Sequence, residues 1–168
     1  MASKEISGTT PYLTFHLADE EFALDIAKVR EVLDYTTVTK VPNMPNYLRG
    51  VINLRGNVVP VIDLRMKLGM TSTINTINTC IVIVEVKMGE AVLHLGALAD
   101  SVQEVLDLDL KQVEPPPNIG MMVDSEFIQG MGKMGDRFLI ILDIDKVISG
   151  DHTRIAEVSE AGSAVVAA

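Results

Sequence analysis

The chain has 168 residues, 48% of them apolar, with four Phe, three Tyr, no Trp, a single Cys and a formal net charge of -9. At this length folding buries about 70% of the unfolded surface, enough for one ordinary domain or two small ones sharing a seam, and a mean hydropathy of +0.28 excludes a disordered chain. The acid excess leaves no broad cationic face for nucleic acid, one cysteine permits neither an intrachain disulfide nor a multi-cysteine zinc site, and no apolar run is long enough for a signal sequence or direct membrane insertion, so a soluble, cytoplasmic protein is expected.

Strand-length aliphatic runs punctuated by Gly, Pro, Asn and Asp recur along the chain, which predicts a mainly β fold. Leu13, Phe15 and Leu17 alternate with more polar neighbours, and Ala18 to Glu21 can turn this strand into Phe22 to Ile26, a first hairpin. Asp25 is a candidate cap, and Ile26, Val29 and Val32 or Leu33 then fall at helical spacing, predicting a turn or two of helix. Val51–Leu54 and Val58–Leu64 flank Arg55-Gly56-Asn57, a hairpin connection in which Gly56 and Asn57 can adopt positive φ. Pro60 donates no ladder hydrogen bond and belongs at an edge, a bulge or an unpaired position. The small, polar stretch 69–79 reads as a boundary, Cys80–Val86 as the strand opening a second half, and 115–117 as an extended Pro run.

The halves repeat one another. At an offset of 80 positions Tyr47–Leu68 lies on Phe127–Ile148 without a gap, matching Gly50 with Gly130 and Asp63 with Asp143, and at an offset of 73 Val29–Leu33 lies on Val102–Leu106. Two similar β units follow, over about 12–79 and 80–150, with flexible tails at 1–11 and 151–168. Closing each unit into a small barrel removes its exposed edges, and the groove between two such units is a ready binding site.

Catalytic constellations are scarce. Gly130-Met-Gly-Lys-Met-Gly135 satisfies the bare dinucleotide pattern, but a strand-like segment follows it where a helix is required, so a glycine-rich turn is expected; a nucleotide-binding protein or small-molecule enzyme using this loop is the alternative. His16, His94 and His152 are dispersed, Cys80 heads an aliphatic strand as a small hydrophobe, and Asp63 and Asp143 sit at matched strand ends in structural positions. No cofactor or metal is expected. Arg55, at a hairpin tip between apolar strands, is the residue with a second reading: an ordinary solvated turn charge, or a planar multi-donor group presented to a partner.

Phe15–Ile26, Lys28–Val32, Arg49-Gly-Val-Ile-Asn-Leu-Arg-Gly56, Val59-Pro-Val-Ile-Asp-Leu64, Leu95–Val105 and Gly130–Leu142 closely resemble the CheW family of chemotaxis coupling proteins, over about 12–150. The resemblance implies two five-stranded β-barrels with short helices and a non-enzymatic adaptor. It implies two partners, the helical-hairpin cytoplasmic tip of a chemoreceptor and the regulatory domain of the histidine kinase CheA, in arrays at the inner membrane. By motif it places Val29, Gly50, Arg55, Gly56, Gly96 and Val105 along the receptor groove, and Glu31 and Val38 near a partner surface. A purely kinase-side assembly factor shares every one of these features.

Overall fold

The computed structural model describes residues 9–88, 90–115, 125–151 and 154–157. A hairpin of β1 (Thr9–Leu17) and β2 (Glu20–Asp25) leads through a single 3-10 turn, Ile26–Lys28, into β3 (Val29–Asp34). Asp25 caps that turn, accepting from Ala27 N at 2.9 Å. The expected helix stops there, because Val29 to Asp34 pair with the second half as a strand and their alternate residues are exposed. β4 (Leu48–Leu54), β5 (Asn57–Asp63) and a one-turn α1 (Leu64–Lys67) complete the first half; β6 (Cys80–Met88), β7 (Ala91–Ala99), β8 (Ser101–Asp109), β9 (Val113–Glu114), β10 (Ile128–Met134), β11 (Arg137–Leu142) and α2 (Ile144–Val147) make the second.

The strands form a six-stranded sheet in the order β8-β1-β2-β11-β10-β9 and a five-stranded sheet in the order β3-β6-β7-β5-β4. The mainly β, two-unit architecture is as expected, with the two-residue β9 added to the first sheet. Sheet membership does not divide at residue 79. The β1–β2 hairpin joins the strands of the second half, and the β6–β7 hairpin joins those of the first, so the repeats exchange hairpins. The exchange is reciprocal: the parallel pairs that stitch it are Val61↔Gly96 in one sheet and Ile141↔Ala23 in the other, and Val61 and Ile141 are repeat equivalents.

The offset of 80 holds in detail. Both hairpins carry a register shift at equivalent places, Leu48/Gly50 and Ile128/Gly130. Each glycine admits a crossing segment: a Cβ at Gly50 would lie 2.1 Å from the Thr39 carbonyl oxygen, and one at Gly130 would lie 2.6 Å from Val113 Cγ1. Asp63 N donates to Tyr47 O at 2.6 Å, and Asp143 N to Phe127 O at 2.9 Å. Pro60 is tolerated inside β5 for a local reason. Its partner Val51 directs both backbone groups away, to Thr39, at 2.8 Å each, and pairing with β7 begins only at Val61.

Three cores result. Ile52, Val59, Val61, Ile81, Ile83 and Leu98 fill the curl of the five-stranded sheet, while Tyr12, Ala23, Leu108, Leu139 and Ile141 fill that of the six-stranded one. The third and largest lies between the sheets, where Phe15, Leu17, Phe22 and Leu24 meet Val82, Val84, Val86, Leu95 and Ala97. Strands such as β6 are therefore buried on both faces, which is why they read as unbroken aliphatic runs. The expected groove along the seam is filled by this packing. Its described rim keeps a hollow of about 280 Å³ beside Ala27, Lys28, Val86 and Val92, and the Lys28–Asp145 ion pair, 2.7 Å long, ties the 3-10 turn before β3 to α2 there.

The described parts of both expected tails are ordered. Thr9 to Pro11 pair with Asp107 to Asp109. Beyond residue 150, residues 154–157 are helical and Ile155 is fully buried in the seam core. Lys67 pairs with Asp151, and Arg154 donates to the Asn43 carbonyl.

The two repeat aspartates differ in what they hold. Asp63 is fully buried and accepts from Thr73 Oγ1 at 2.7 Å, Thr73 N at 2.9 Å, Arg65 N at 3.1 Å and Arg49 Nη1 at 3.3 Å, pinning the 69–79 connection to α1. Asp143 accepts from Lys146 N at 3.2 Å as an ordinary cap. Asp63→Ala should therefore cost about 2–4 kcal/mol, because it strands buried donors, whereas Asp143→Ala should cost about 1 kcal/mol. Urea unfolding of the two variants checks the contrast.

Candidate functional site

The β4–β5 connection is two residues long, with Leu54 opposite Asn57. Arg55 has φ +50° and Gly56 φ +88°, so both central residues are left-handed, as a twisted two-residue hairpin requires. The positive φ falls on Arg55 and Gly56, where Gly56 and Asn57 were expected. Asn53 Oδ1 accepts from Gly56 N at 2.9 Å and holds the turn from below. An Arg thus occupies a left-handed position that Gly or Asn would fill with less strain.

Arg55 is mostly exposed, its side chain retaining 68% of its surface. It reaches across to Glu31 on β3, at the opposite edge of the five-stranded sheet, with Nη1 donating to Oε1 at 3.2 Å and Nη2 to Oε2. The pair closes one end of the curled sheet. Beneath it lies a cleft of about 430 Å³, floored by Leu54, Val58, Val59, Ile83 and Leu93 and rimmed by charges. A second network runs along that rim: Arg30 donates to Glu85 at 2.9 Å, and His94 lies 3.1 Å from the same carboxylate oxygen.

Hydrogen bonding from Arg55, reinforced by its charge, holds the Glu31 carboxyl below its ordinary range. The folded value is depressed, so the pair is complete above the unfolded glutamate value and is lost as pH falls through the folded one. A carbon-detected titration of Glu31 should give an acid-shifted midpoint that returns to the ordinary glutamate value in Arg55→Gln.

The predicted site residues separate into those at the exposed tip and those packed into the sheets. Glu31, Arg55 and Gly56 meet at the tip. Val38 is half-buried against the core beneath it, packed beside the site of Gly50. Gly50 and Gly96 are buried: a Cβ on Gly96 would meet Ile81 Cγ2 at 2.7 Å, so this glycine lets the curl close and offers no surface. Val29 packs on the seam core. Val105 is 51% exposed but lies on β8, in the other sheet. Arg30, Glu85, His94 and the apolar floor escaped sequence reasoning. They converge only because hairpin exchange brings β6 and β7 beside β3, although Glu85 and His94, which pair across one β hairpin, carried a local cross-strand signal.

No enzyme-like site forms at the glycine-rich motif. Gly130 and Gly132 lie within β10, pairing with β11 and β9, and Gly135 forms the hairpin turn, with a strand after it. The amides that would cradle a phosphate are thus largely committed to the ladder, and the nucleotide alternative loses its structural basis. Among the described residues no group of three or more His, Cys, Asp or Glu is placed to hold a metal ion, and no helix is long and apolar enough to cross a membrane.

An exposed guanidinium on a rigid tip over an apolar-floored cleft is the equipment of a protein-docking scaffold. The sequence profile of the CheW-like domain matches residues 11–152. Chemotaxis protein CheW of Klebsiella aerogenes is 36% identical over 146 residues, 87% of this chain and 86% of that protein. Chemotaxis protein CheW of Rhizobium meliloti is 30% identical over 156 residues, 92% and 98% of the two chains. The crystal structure of the scaffolding protein TtCheW from Thermoanaerobacter tengcongensis superposes with a TM-score of 0.76 at 34% identity, covering 85% of this chain and 90% of that one. The chain belongs to the CheW family of chemotaxis adaptor proteins.

Proposed function

We propose that this protein couples the cytoplasmic tips of chemoreceptors to the regulatory domain of the kinase CheA, acting in the cytoplasm at receptor arrays and without catalysis of its own. The observation that carries this reading is the Arg55 tip: a multi-donor group held in a left-handed turn, pre-oriented by Glu31 and set beside apolar surface. A helical hairpin tip offers backbone carbonyls and an apolar face, and this combination suits both. In the proposal Arg55, Gly56 and Glu31 make contact, Gly50, Gly96 and Val38 shape the supporting sheet, and Val29 fixes the seam rim at which the receptor lies. Val105, exposed on the other sheet, serves the second partner. Two modest contacts made together raise effective concentration, so the ternary assembly is tighter than either pair. Co-sedimentation with receptor-tip fragments and CheA tests the reading; a chain that sediments with CheA alone is a kinase-side assembly factor instead.

A further inference from the structure

The repeat places a second tip, β10–β11, in the position that β4–β5 occupies in the other sheet. Its residues correspond one to one: Met134 to Leu54, Gly135 to Arg55, Arg137 to Asn57 and Phe138 to Val58. A cavity of about 810 Å³ opens here, lined by Lys111, Gln112, Glu114, Lys133, Met134, Gly135 and Arg137. The two tips share a two-residue connection and differ in how their charges are satisfied. At the first, Glu31 neutralises Arg55 from within. At the second, Arg137 is committed to Glu21, donating at 3.1 and 2.5 Å, while Lys111 and Lys133 make no ion pair among the described residues. In a chain of net charge -9, most cations are consumed internally, as with Lys28–Asp145, Arg30–Glu85, Arg65–Asp100 and Lys67–Asp151. Two lysines without an ion-pair partner, against the single carboxylate of Glu114 in the lining, are therefore a local departure from the charge of the whole. Beside them Phe138 keeps 54% of its surface, and the Lys133 ammonium lies 6.0 Å from its ring centroid.

We propose that this cavity is a further docking site, taking an acidic, apolar-anchored segment of a protein partner: Lys111 and Lys133 pair with its carboxylates, while Phe138 and Met134 cover its apolar side chain. The lining favours a peptide over a polyphosphate. Glu114 stands among the lysines, Arg137 is already engaged, and the ladder occupies most amides of the hairpin, so a compact polyanion meets repulsion and few donors, whereas spaced carboxylates on a peptide can avoid Glu114. The inference does not rest on the role given to Arg55.

The test uses the full chain, labelled with nitrogen-15, and as probe a capped hexapeptide of four glutamates and two leucines, with its glutamine counterpart and inorganic tripolyphosphate as comparisons. Saturable shifts confined to the segments around Lys111 and Lys133–Phe138 are expected with the acidic peptide and not with the glutamine one. Lys111→Gln/Lys133→Gln should weaken binding about tenfold, Lys111→Arg/Lys133→Arg should retain it, and Arg55→Glu should leave it unchanged. Absence of saturable shifts, shifts centred elsewhere, equal affinity in the glutamine double variant, or tighter binding of tripolyphosphate than of peptide would each overturn the proposal. Both lysines are exposed, and an unchanged spectrum away from the cavity confirms that the variants are folded.

Discussion

Arg55→Glu is expected to weaken binding of a receptor-tip fragment by about 10- to 100-fold while leaving the fold intact. The loss has two sources. The partner's acceptors lose a planar donor group, and the new carboxylate faces Glu31 across the tip in place of its hydrogen-bonding cation. The turn itself survives, since Gly56 and the Asn53 side chain hold it. Two further variants separate presentation to a partner from internal neutralisation. Arg55→Asn places a residue that favours left-handed backbone at the strained position and should raise stability by about 0.5–1 kcal/mol, yet it should bind as poorly as Arg55→Glu. The exchange Glu31→Arg with Arg55→Glu restores an internal ion pair but moves the guanidinium to β3, and on this account it does not restore binding. Calorimetry with a receptor-tip fragment measures all three. Full recovery in the exchanged double variant would assign Arg55 an internal structural role.

The largest loss of stability is expected at Gly50. Its φ is +141°, a region that L side chains rarely adopt, and a Cβ there would lie 2.1 Å from the Thr39 carbonyl oxygen and 2.7 Å from its carbon. Those are backbone atoms held by the two Thr39–Val51 hydrogen bonds, so nothing nearby can yield cheaply. Gly50→Ala should cost about 3–5 kcal/mol, from strain, a broken bridge and a displaced Val38. For a chain of this size that lowers the melting temperature by roughly 10 °C. The repeat supplies a control. At Gly130 the nearest atom is the Val113 side chain, at 2.6 Å, with the Glu114 carbonyl at 3.0 Å. A side chain can rotate, so Gly130→Ala should cost about 1–3 kcal/mol. Thermal unfolding of the pair shows whether the same sequence feature has the unequal consequence that the geometry requires.

The legible part of this fold was local or periodic. The matched glycines and aspartates, the alternation in β1 and the connection at Arg55 each depend on a few neighbouring residues, and they led to two β units with an arginine at one tip. Hairpin exchange was not legible, because Cys80–Val86 reads as one apolar run whether its second face meets its own half or the other. The seam core escaped for the same reason. Two units that share a packed interface display the same aliphatic excess as two units with separate cores and a groove, and the difference lies only in which faces meet. Val29 to Leu33 satisfy helical spacing and strand alternation together, and pairing with β6 decides between them. Gly96 shows the limit for the site: resemblance named it as a groove position, whereas only the packing of Ile81 and Val61 around it shows that it serves the closure of the sheet. Ile155 lies in an alanine-rich stretch with little signal of its own, and it is buried because the seam has room for it.

The central claim is that one molecule holds two partners at once, and the most direct measurement is sedimentation of CheA with receptor-tip assemblies in the presence and absence of this protein. The account predicts that CheA enters the pellet only when the protein is added, that Arg55→Glu abolishes this recruitment, and that the Arg55→Glu protein still binds CheA in solution. Recruitment of CheA without the protein, or undiminished recruitment by Arg55→Glu, would contradict it.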